Sequence, residues 1–380
     1  MQCDYFDAGA CRSCTLMGDP YAAQLAANDA RVREIVGDRP GLAWSPPFAS
    51  PESAFRAKAK MVVAGTTEAP TLGILAPDGT GVDLRACGII GPHASAALPT
   101  LAAFVADVGL RPYDVPRRTG ELKAIHVTES PDGELMVRFV LRSEGQVGRI
   151  RRGLPALTEA LPNLRVVTVN LLPEHKAAVE GDVEIPLTEH TTLPLRLPHV
   201  TLHAGPGAFV QTNTAVAAGL YAQARAWIDE ADPAHVLDLY CGIGGFALHA
   251  AAPGRAVTGV EVSPEAVSSA RRSAAEAAIP ARFEVGDATT YAPPGAPDLV
   301  VVNPPRRGLG PRLSAWLEAA DAPTVVYSSC NPVTLARDLD AMPSLRPVRA
   351  RLFDMFPQTD HAEVLVLLRR GPAPSTQEHP

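Results

Sequence analysis

The 380-residue sequence predicts an α/β fold, a doubly wound and mostly parallel sheet in the second half preceded by a sheet-rich α+β region. Three observations point there. Residues 234–246 run from a buried apolar strand through a glycine loop, Asp238-Leu239-Tyr240-Cys241-Gly242-Ile243-Gly244-Gly245, into a helix. Apolar strand patterns then recur at 256–261, 282–285, 298–302 and 324–327, with a helical pattern at 264–278 between the first two, the alternation that builds parallel sheets. Finally, those strands run out on residues able to do chemistry: Glu261, Asp287, Asn303-Pro304-Pro305 and Ser328-Ser329-Cys330-Asn331-Pro332. In open α/β sheets the carboxyl ends of the strands line the ligand crevice.

Hydrophobic residues make up 46% of the chain and charged residues 20%, values that support a packed core. The net charge of −7 excludes a protein that coats nucleic acid through bulk charge, but leaves room for a local basic groove. No apolar run reaches the length of a membrane span, and Met1-Gln2-Cys3-Asp4 lacks the basic and apolar regions of a leader, so the chain is expected to be cytoplasmic with no membrane partner.

The first half begins with Cys3 and Cys11-x-x-Cys14, answered far downstream by Cys87. This is ligand-like spacing: two thiols from one turn, one from the approach, and one closing a long loop. Four thiolates suit Zn²⁺ or an iron–sulfur cluster, and the spacing does not choose. A helix is expected over 25–36. Residues 55–64 alternate apolar and basic with Arg56, Lys58 and Lys60 on one face, strands are expected over 71–75 and 82–87, and a helix over 98–108. Strands over 123–128 and 136–141 flank Pro131-Asp132-Gly133 as a hairpin, and strands follow at 166–172 and 183–187. Between residues 111 and 165 ten Lys/Arg stand against seven Asp/Glu, a local +3 that includes Arg117, Arg118, Lys123, Arg149, Arg151 and Arg152. Such a cluster suits phosphate contacts.

In the second half, the glycine loop lets backbone approach a ligand, and the helix beyond it offers free N–H groups. Glu261 ends the next strand 23 positions after Asp238, where a carboxylate can accept both ribose hydroxyls. Cys330 at a strand end is a candidate nucleophile, against the plain alternative of a small buried apolar residue. Cys241 reads as packing, and His175, His190, His199 and His203 have no metal spacing.

In that order, the strand ends resemble the S-adenosylmethionine-dependent methyltransferases, with Asn303-Pro304-Pro305 as the telling element. At Cys330 the resemblance narrows to the RNA uracil-C5 methyltransferases that carry an iron–sulfur site. Phe209-Val210-Gln211-Thr212-Asn213 looks like the family's entry segment and Asp238 to Gly244 its cofactor loop. Asn303 to Gly308 looks like its fourth motif, Ser328 to Pro332 its nucleophile, and Phe356-Pro357-Gln358-Thr359-Asp360-His361-Ala362-Glu363 its base motif. The match spans nearly the whole chain. Gly245, where many members have Asn, and Asn303, where many have Asp, depart from the wider pattern.

The resemblance implies a Rossmann-like class I methyltransferase domain preceded by an α+β iron–sulfur and RNA-binding region. It implies Cys330 as nucleophile and Glu363 as proton acceptor, with S-adenosylmethionine contacts from Gln211, Tyr240, Gly242, Glu261, Asp287 and Asn303. Cys3, Cys11, Cys14 and Cys87 become ligands of a [4Fe-4S] cluster. Three bacterial branches differ in architecture: one acts on transfer RNA without the cluster, another on 23S ribosomal RNA with a TRAM barrel ahead of the cysteines. Here the cysteines begin at residue 3, and the similarity is to the branch that methylates 23S ribosomal RNA without the barrel. The implied division is 1–90 for the iron–sulfur region, 91–200 for a central RNA-binding domain and 201–380 for the catalytic domain, in a monomer with no stable protein partner. Three competing readings remain: a uracil-C5 methyltransferase for transfer RNA or other ribosomal RNA, a methyltransferase for the exocyclic amine of adenine, and an inactive iron–sulfur RNA-binding protein.

Overall fold

The computed structural model describes residues 1–175 and 180–371. These divide into two compact units, one of residues 1–17, 51–196 and 204–206, the other of residues 18–50, 197–203 and 207 onward. The packing therefore departs from three consecutive segments. The cysteine-bearing stretch shares one unit with the central region, and residues 18–50 belong with the second half. The reason is the core each stretch joins: Val32 and Val36 bury against Leu335, Leu339 and Leu345, whereas Tyr5, Cys11 and Cys87 pack on the core that holds Leu84, Ile90 and Leu98.

The first unit is built on a seven-stranded sheet ordered Gly81–Asp83, Pro70–Leu75, Lys58–Gly65, Leu122–Glu129, Leu135–Leu141, Leu164–Leu171, Val183–Pro186. Neighbours are antiparallel except Leu135–Leu141 with Leu164–Leu171. That parallel pair needs a crossover, supplied by the helix Val147–Ala160, which the residues' charge had drawn attention to but whose helicity Gly148, Gly153 and Pro155 disguise. The helix Pro92–Asp107 starts six residues before the expected point because Pro92 opens it, a position where proline costs no hydrogen bond. The strand expected over 82–87 stops at Asp83: a turn follows, with the Cys87 N–H donating to the Leu84 carbonyl at 3.0 Å.

The second unit carries an eight-stranded sheet ordered Ala43–Trp44, Leu345–Phe353, Glu363–Arg370, Thr324–Ser329, Leu299–Val302, His235–Leu239, Ala256–Glu261, Ala281–Val285. The five strands from Thr324–Ser329 to Ala281–Val285 are parallel, and Glu363–Arg370 inserts antiparallel between Leu345–Phe353 and Thr324–Ser329. Numbered from His235–Leu239, the order is 3-2-1-4-5-7-6. The direction of winding reverses beside the first strand, which opens a crevice at its carboxyl end. The central strands are continuous apolar runs because both faces are covered, and Leu299, Val300, Val301 and Val302 are all fully buried. No helix among the described residues is long and apolar enough to cross a membrane.

The helix Tyr21–Val36 does more than extend this unit. Its buried Gln24 donates to the Gln358 side-chain oxygen at 2.9 Å and accepts the Gln358 N–H at 3.1 Å. Asn28 donates to the Thr359 carbonyl at 2.9 Å, and the Tyr21 hydroxyl donates to Asp354 at 2.7 Å. Residues 354–362, including Gln358 in the left-handed region at φ 68°, are thus clamped where they lead into Glu363. Gln24→Ala leaves Gln358 buried with polar atoms unsatisfied, which costs about 1–3 kcal/mol. Thermal denaturation should show a lower Tm, by about 2–4 °C per kcal/mol.

Candidate active site

The loop after His235–Leu239 turns sharply, with Tyr240, Gly242 and Gly244 at φ 63°, 52° and 90°. Left-handed backbone at Gly242 favours glycine, and a Cβ added there would meet nothing within 4 Å, so the loop presents open backbone. Asp238 is fully buried beneath it and accepts the Ala247 N–H at 2.9 Å, fixing the start of the helix Gly245–Ala250. Burial, and then the neighbouring Glu261, push the Asp238 carboxyl up to about 8. Glu261 is held by the backbone on both sides, accepting from Gly242 N–H at 3.2 Å and Ser263 N–H at 2.9 Å.

Five of the six expected cofactor residues, Tyr240, Gly242, Glu261, Asp287 and Asn303, end or follow strands at this end of the sheet. Burial raises the Tyr240 phenol, and the charges of Asp287 and Glu261 raise it further while Arg307 opposes them, so these groups lie within electrostatic reach of one another. Asp287 accepts the N–H and the hydroxyl of Thr289, each at 2.8 Å, which holds its carboxyl below the usual range. Asn303 follows Leu299–Val302, and its N–H reaches the Leu239 carbonyl at 3.5 Å across neighbouring strand ends. Gln211 is half-buried in the approach to the helix Thr214–Ala231, which Asn213 caps by accepting the Val216 N–H at 3.3 Å. Phe209 beside it is 73% exposed. Glu261 and the Gly242 backbone therefore offer a ribose acceptor and an unobstructed approach, and this donor and acceptor set fits S-adenosylmethionine.

Next to this crevice, Cys330 ends the strand Thr324–Ser329 in a half-buried position. Burial pushes its thiol up, the Glu363 charge adds to this, and Arg306 opposes both through its charge and a hydrogen bond. Arg306 was not among the residues singled out for a role. The signal available was its place directly after Asn303-Pro304-Pro305. The loop is tied to the Cys330 turn, since the Arg306 carbonyl accepts from the Asn331 amide at 3.0 Å and the Thr334 hydroxyl at 3.3 Å. Gly308 turns at φ 80°, and a Cβ there would come within 2.4 Å of an Asp338 carboxylate oxygen. That oxygen also accepts the Leu309 N–H at 2.7 Å and the Tyr327 hydroxyl at 2.8 Å.

Glu363 is the first residue of its strand, paired with Phe353, and is only 2% exposed. Its neighbour strand presents Ser328, fully buried, whose hydroxyl donates to the Glu363 carboxylate. Burial raises the Glu363 carboxyl to about 7, with the Ser328 hydrogen bond pulling the other way. His361 faces Phe356 edge-on at 6.0 Å between ring centroids and is exposed.

In the other unit, Cys3, Cys11, Cys14 and Cys87 are each part-buried. Cys14 is pushed up to about 11 by burial and then by Cys87, Cys11 and Cys3, with Arg56 opposing, so the structure brings the four thiols and one guanidinium into a single electrostatic neighbourhood. Among the described residues, no three His, Cys, Asp or Glu side chains converge tightly enough to hold a metal ion. The cysteines of a cluster ligate different iron atoms, so their sulfurs stand further apart than ligands of one ion. Four thiols with a nearby cation fit such a group in chemistry.

The sheet order, the glycine loop with its acidic partner and the polar strand ends define an S-adenosylmethionine-dependent methyltransferase. Comparison with known proteins agrees. Residues 199–316 match the Methyltransferase small domain family, and residues 296–371 the tRNA (Uracil-5-)-methyltransferase family. The 23S rRNA (uracil(747)-C(5))-methyltransferase RlmC of Shigella boydii serotype 4 (strain Sb227) is 46% identical over 97% of this chain and 99% of its own. The same values hold for RlmC of Escherichia coli O9:H4 (strain HS). Among solved structures, the Pyrococcus abyssi tRNA (uracil-54, C5)-methyltransferase in complex with S-adenosyl-L-homocysteine superposes with a TM-score of 0.80 at 27% identity, over 94% of this chain and 84% of the other. The chain belongs to the RNA uracil-C5 methyltransferase family, on its RlmC branch.

Removing the Ser328 hydroxyl takes away the hydrogen bond that, among the described residues, favours the Glu363 carboxylate against its burial. In Ser328→Ala the Glu363 titration should move upward from about 7, read by ¹³C NMR of the labelled carboxyl. An unmoved titration would show that the hydroxyl does not hold the charge.

Proposed function

We propose that the protein methylates C5 of a uridine in 23S ribosomal RNA, forming 5-methyluridine. The single observation that carries this reading is the pairing of Cys330 with Glu363. A nucleophile and a buried carboxylate within mutual electrostatic reach stand beside a methyl-donor crevice, in a chain 46% identical over nearly its full length to curated RlmC proteins.

C5 of uracil is a weak nucleophile, and attack at C6 cures this. The Cys330 thiolate bonds to C6 as the C5–C6 π electrons shift to make an enolate, nucleophilic at C5. S-adenosylmethionine, held by Gly242, Glu261, Asp287 and Asn303, would supply an electrophilic methyl to C5, its S–CH3 bond breaking as the C5–CH3 bond forms and S-adenosylhomocysteine leaving. The Glu363 carboxylate then takes the C5 proton. The electron pair of that C–H bond restores the C5–C6 double bond and expels the Cys330 thiolate. A base with a carboxyl near 7 is suited to this, ionised in part at neutral pH yet basic enough to accept a carbon-bound proton. The Arg306 guanidinium favours the thiolate that attacks, and Ser328 keeps Glu363 charged and aimed. The uridine must leave its stack to reach Cys330, at a cost of a few kcal/mol that is smallest in loops.

Cys3, Cys11, Cys14 and Cys87 would hold a [4Fe-4S] cluster whose role is structural, because no step above transfers an electron. Cys3, Cys11 and Cys14 lie near the start of the chain and Cys87 more than seventy residues on, and a cluster would cross-link these two stretches.

The test is methyl incorporation into unmodified 23S ribosomal RNA. Cys330→Ala should abolish turnover. Glu363→Gln should methylate once and stall, leaving a protein–RNA adduct that shifts on a denaturing gel. Robust turnover by Cys330→Ala, or release of product by Glu363→Gln at the wild-type rate, would overturn the assignment. Separately, protein purified without oxygen should be brown with about four irons per chain, and a colourless protein carrying stoichiometric zinc would remove the cluster.

A further inference from the structure

The unit remote in sequence from the chemistry contains a cleft of about 400 Å³ with Arg111, Thr119, Glu121, Arg142, Gln146 and Arg149 in its walls. The charges there are uneven. Arg142 donates to Glu121 at 2.8 Å and to the Arg118 carbonyl at 3.3 Å. Arg149 donates to the carbonyls of Val108 and Gly109 at 3.4 and 3.1 Å, which orient the guanidinium without neutralising it. Arg111 is exposed, and among the described residues it makes no ion pair. Among the residues lining the cleft, three guanidinium groups thus face one carboxylate, while Asp114, within electrostatic reach of Arg111, is ion-paired to Arg117.

Several arginines elsewhere in the same unit are answered by acids: Arg85 by Asp83, Arg117 by Asp114, Arg138 by Glu180 and Glu184, and Arg165 by Glu134. The loop forming one wall is also fixed. Gly120 turns at φ 99°, and a Cβ there would lie 2.0 Å from the Pro112 carbonyl oxygen, so this wall is packed backbone and not a loose side-chain surface.

We infer that this cleft is a phosphate-binding subsite for the backbone of the RNA substrate. Guanidinium forks match the oxygens of a phosphodiester, and anchored ones lose less entropy when they bind. The lining contains no aromatic and no large aliphatic side chain, so nothing there would stack or enclose a base. It therefore suits a polyanion's backbone better than a free nucleotide. Exposed Arg151 and Arg152 on the helix Val147–Ala160 continue the positive surface beyond Arg149. The inference rests on the proposed RNA substrate and deepens it: backbone phosphates bound here would hold the substrate without reading its sequence.

The experiment measures binding of the full-length protein to an unmodified 23S ribosomal RNA transcript across a salt series. Arg111 touches no carboxylate, so Arg111→Gln should leave the melting temperature in place. It should weaken binding severalfold at physiological salt and flatten the log Kd against log salt slope by about 0.7 for one lost single-strand phosphate contact. Arg111→Lys, which keeps the charge, should keep the slope. Arg149→Gln should flatten it further if its fold is intact by the same melting measurement. Unchanged affinity and slope in Arg111→Gln, or weaker binding with an unchanged slope, would overturn the subsite. The same tubes are assayed for 5-methyluridine with wild-type protein. Binding without methylation would sink the proposed activity and leave the slope result standing, so the two failures are told apart.

Discussion

The catalytic unit depends on one constraint, a carboxylate taken out of water at the first residue of a strand. Glu363 is only 2% exposed, and an isolated charge in such a place is costly enough that the group is pushed to about 7. What tips the balance back is a single hydroxyl, that of Ser328 on the adjacent strand. The two face each other because Glu363–Arg370 runs antiparallel to Thr324–Ser329, with Ser328 opposite Leu365 and Ser329 opposite Val364. Side chains two apart on one strand share a face, which places Ser328 diagonally beside Glu363. A parallel seventh strand would carry its first residue to the other end of the sheet, away from Cys330. The antiparallel insertion is thus the device that brings the proposed nucleophile and base to one end of the sheet from positions 33 apart in sequence.

The same demand explains the recruitment of residues 18–50. A buried carboxylate in a loop-to-strand junction needs a junction that does not drift. Residues 354–362 have no regular structure of their own, yet Gln358 is 1% exposed. Its polar atoms are met by Gln24, and those of its neighbours by Tyr21 and Asn28, all on one helix. On the opposite side, Gly308, Asp338 and Tyr327 tie the loop carrying Arg306 to the strand that ends in Cys330.

Much of this was legible in the sequence. Ala256–Glu261 falls where the apolar strand pattern placed it, and the strand ends appear in the expected order, because strands buried on both faces write themselves as apolar runs. Cys330 and Glu363 were named from a family likeness, and the structure adds why they meet. Arg306 and Ser328 fell inside quoted motifs but were given no role, because their importance is relational: an arginine and a serine show what they do only when the fold shows what they touch. The clamp of Gln24 and Gln358 was invisible for the same reason, with partners 334 positions apart. The helix Val147–Ala160 was hidden by two glycines and a proline that tertiary packing overrides.

The charges around Cys330 resolve an apparent conflict. A nucleophilic thiol would be expected in a site that lowers its pKa, yet here burial and Glu363 raise it, and Arg306 offsets only part of that. The two demands fall at different times. Before addition, a Glu363 carboxyl near 7 is protonated in part at neutral pH, and in that form its repulsion of the thiolate is absent, leaving Arg306 to favour the attacking anion. In the proposed mechanism, once sulfur is bonded to C6 and the methyl has quenched the enolate, neither carries a full negative charge, so Glu363, having released its own proton to solvent, can stay ionised and take the C5 proton. That transfer neutralises the carboxylate just as the thiolate is released, again sparing the site two adjacent negative charges. A carboxylate of ordinary acidity would be ionised when the thiolate attacks and would repel it. On this argument the burial of Glu363 serves the cysteine as much as it serves the base.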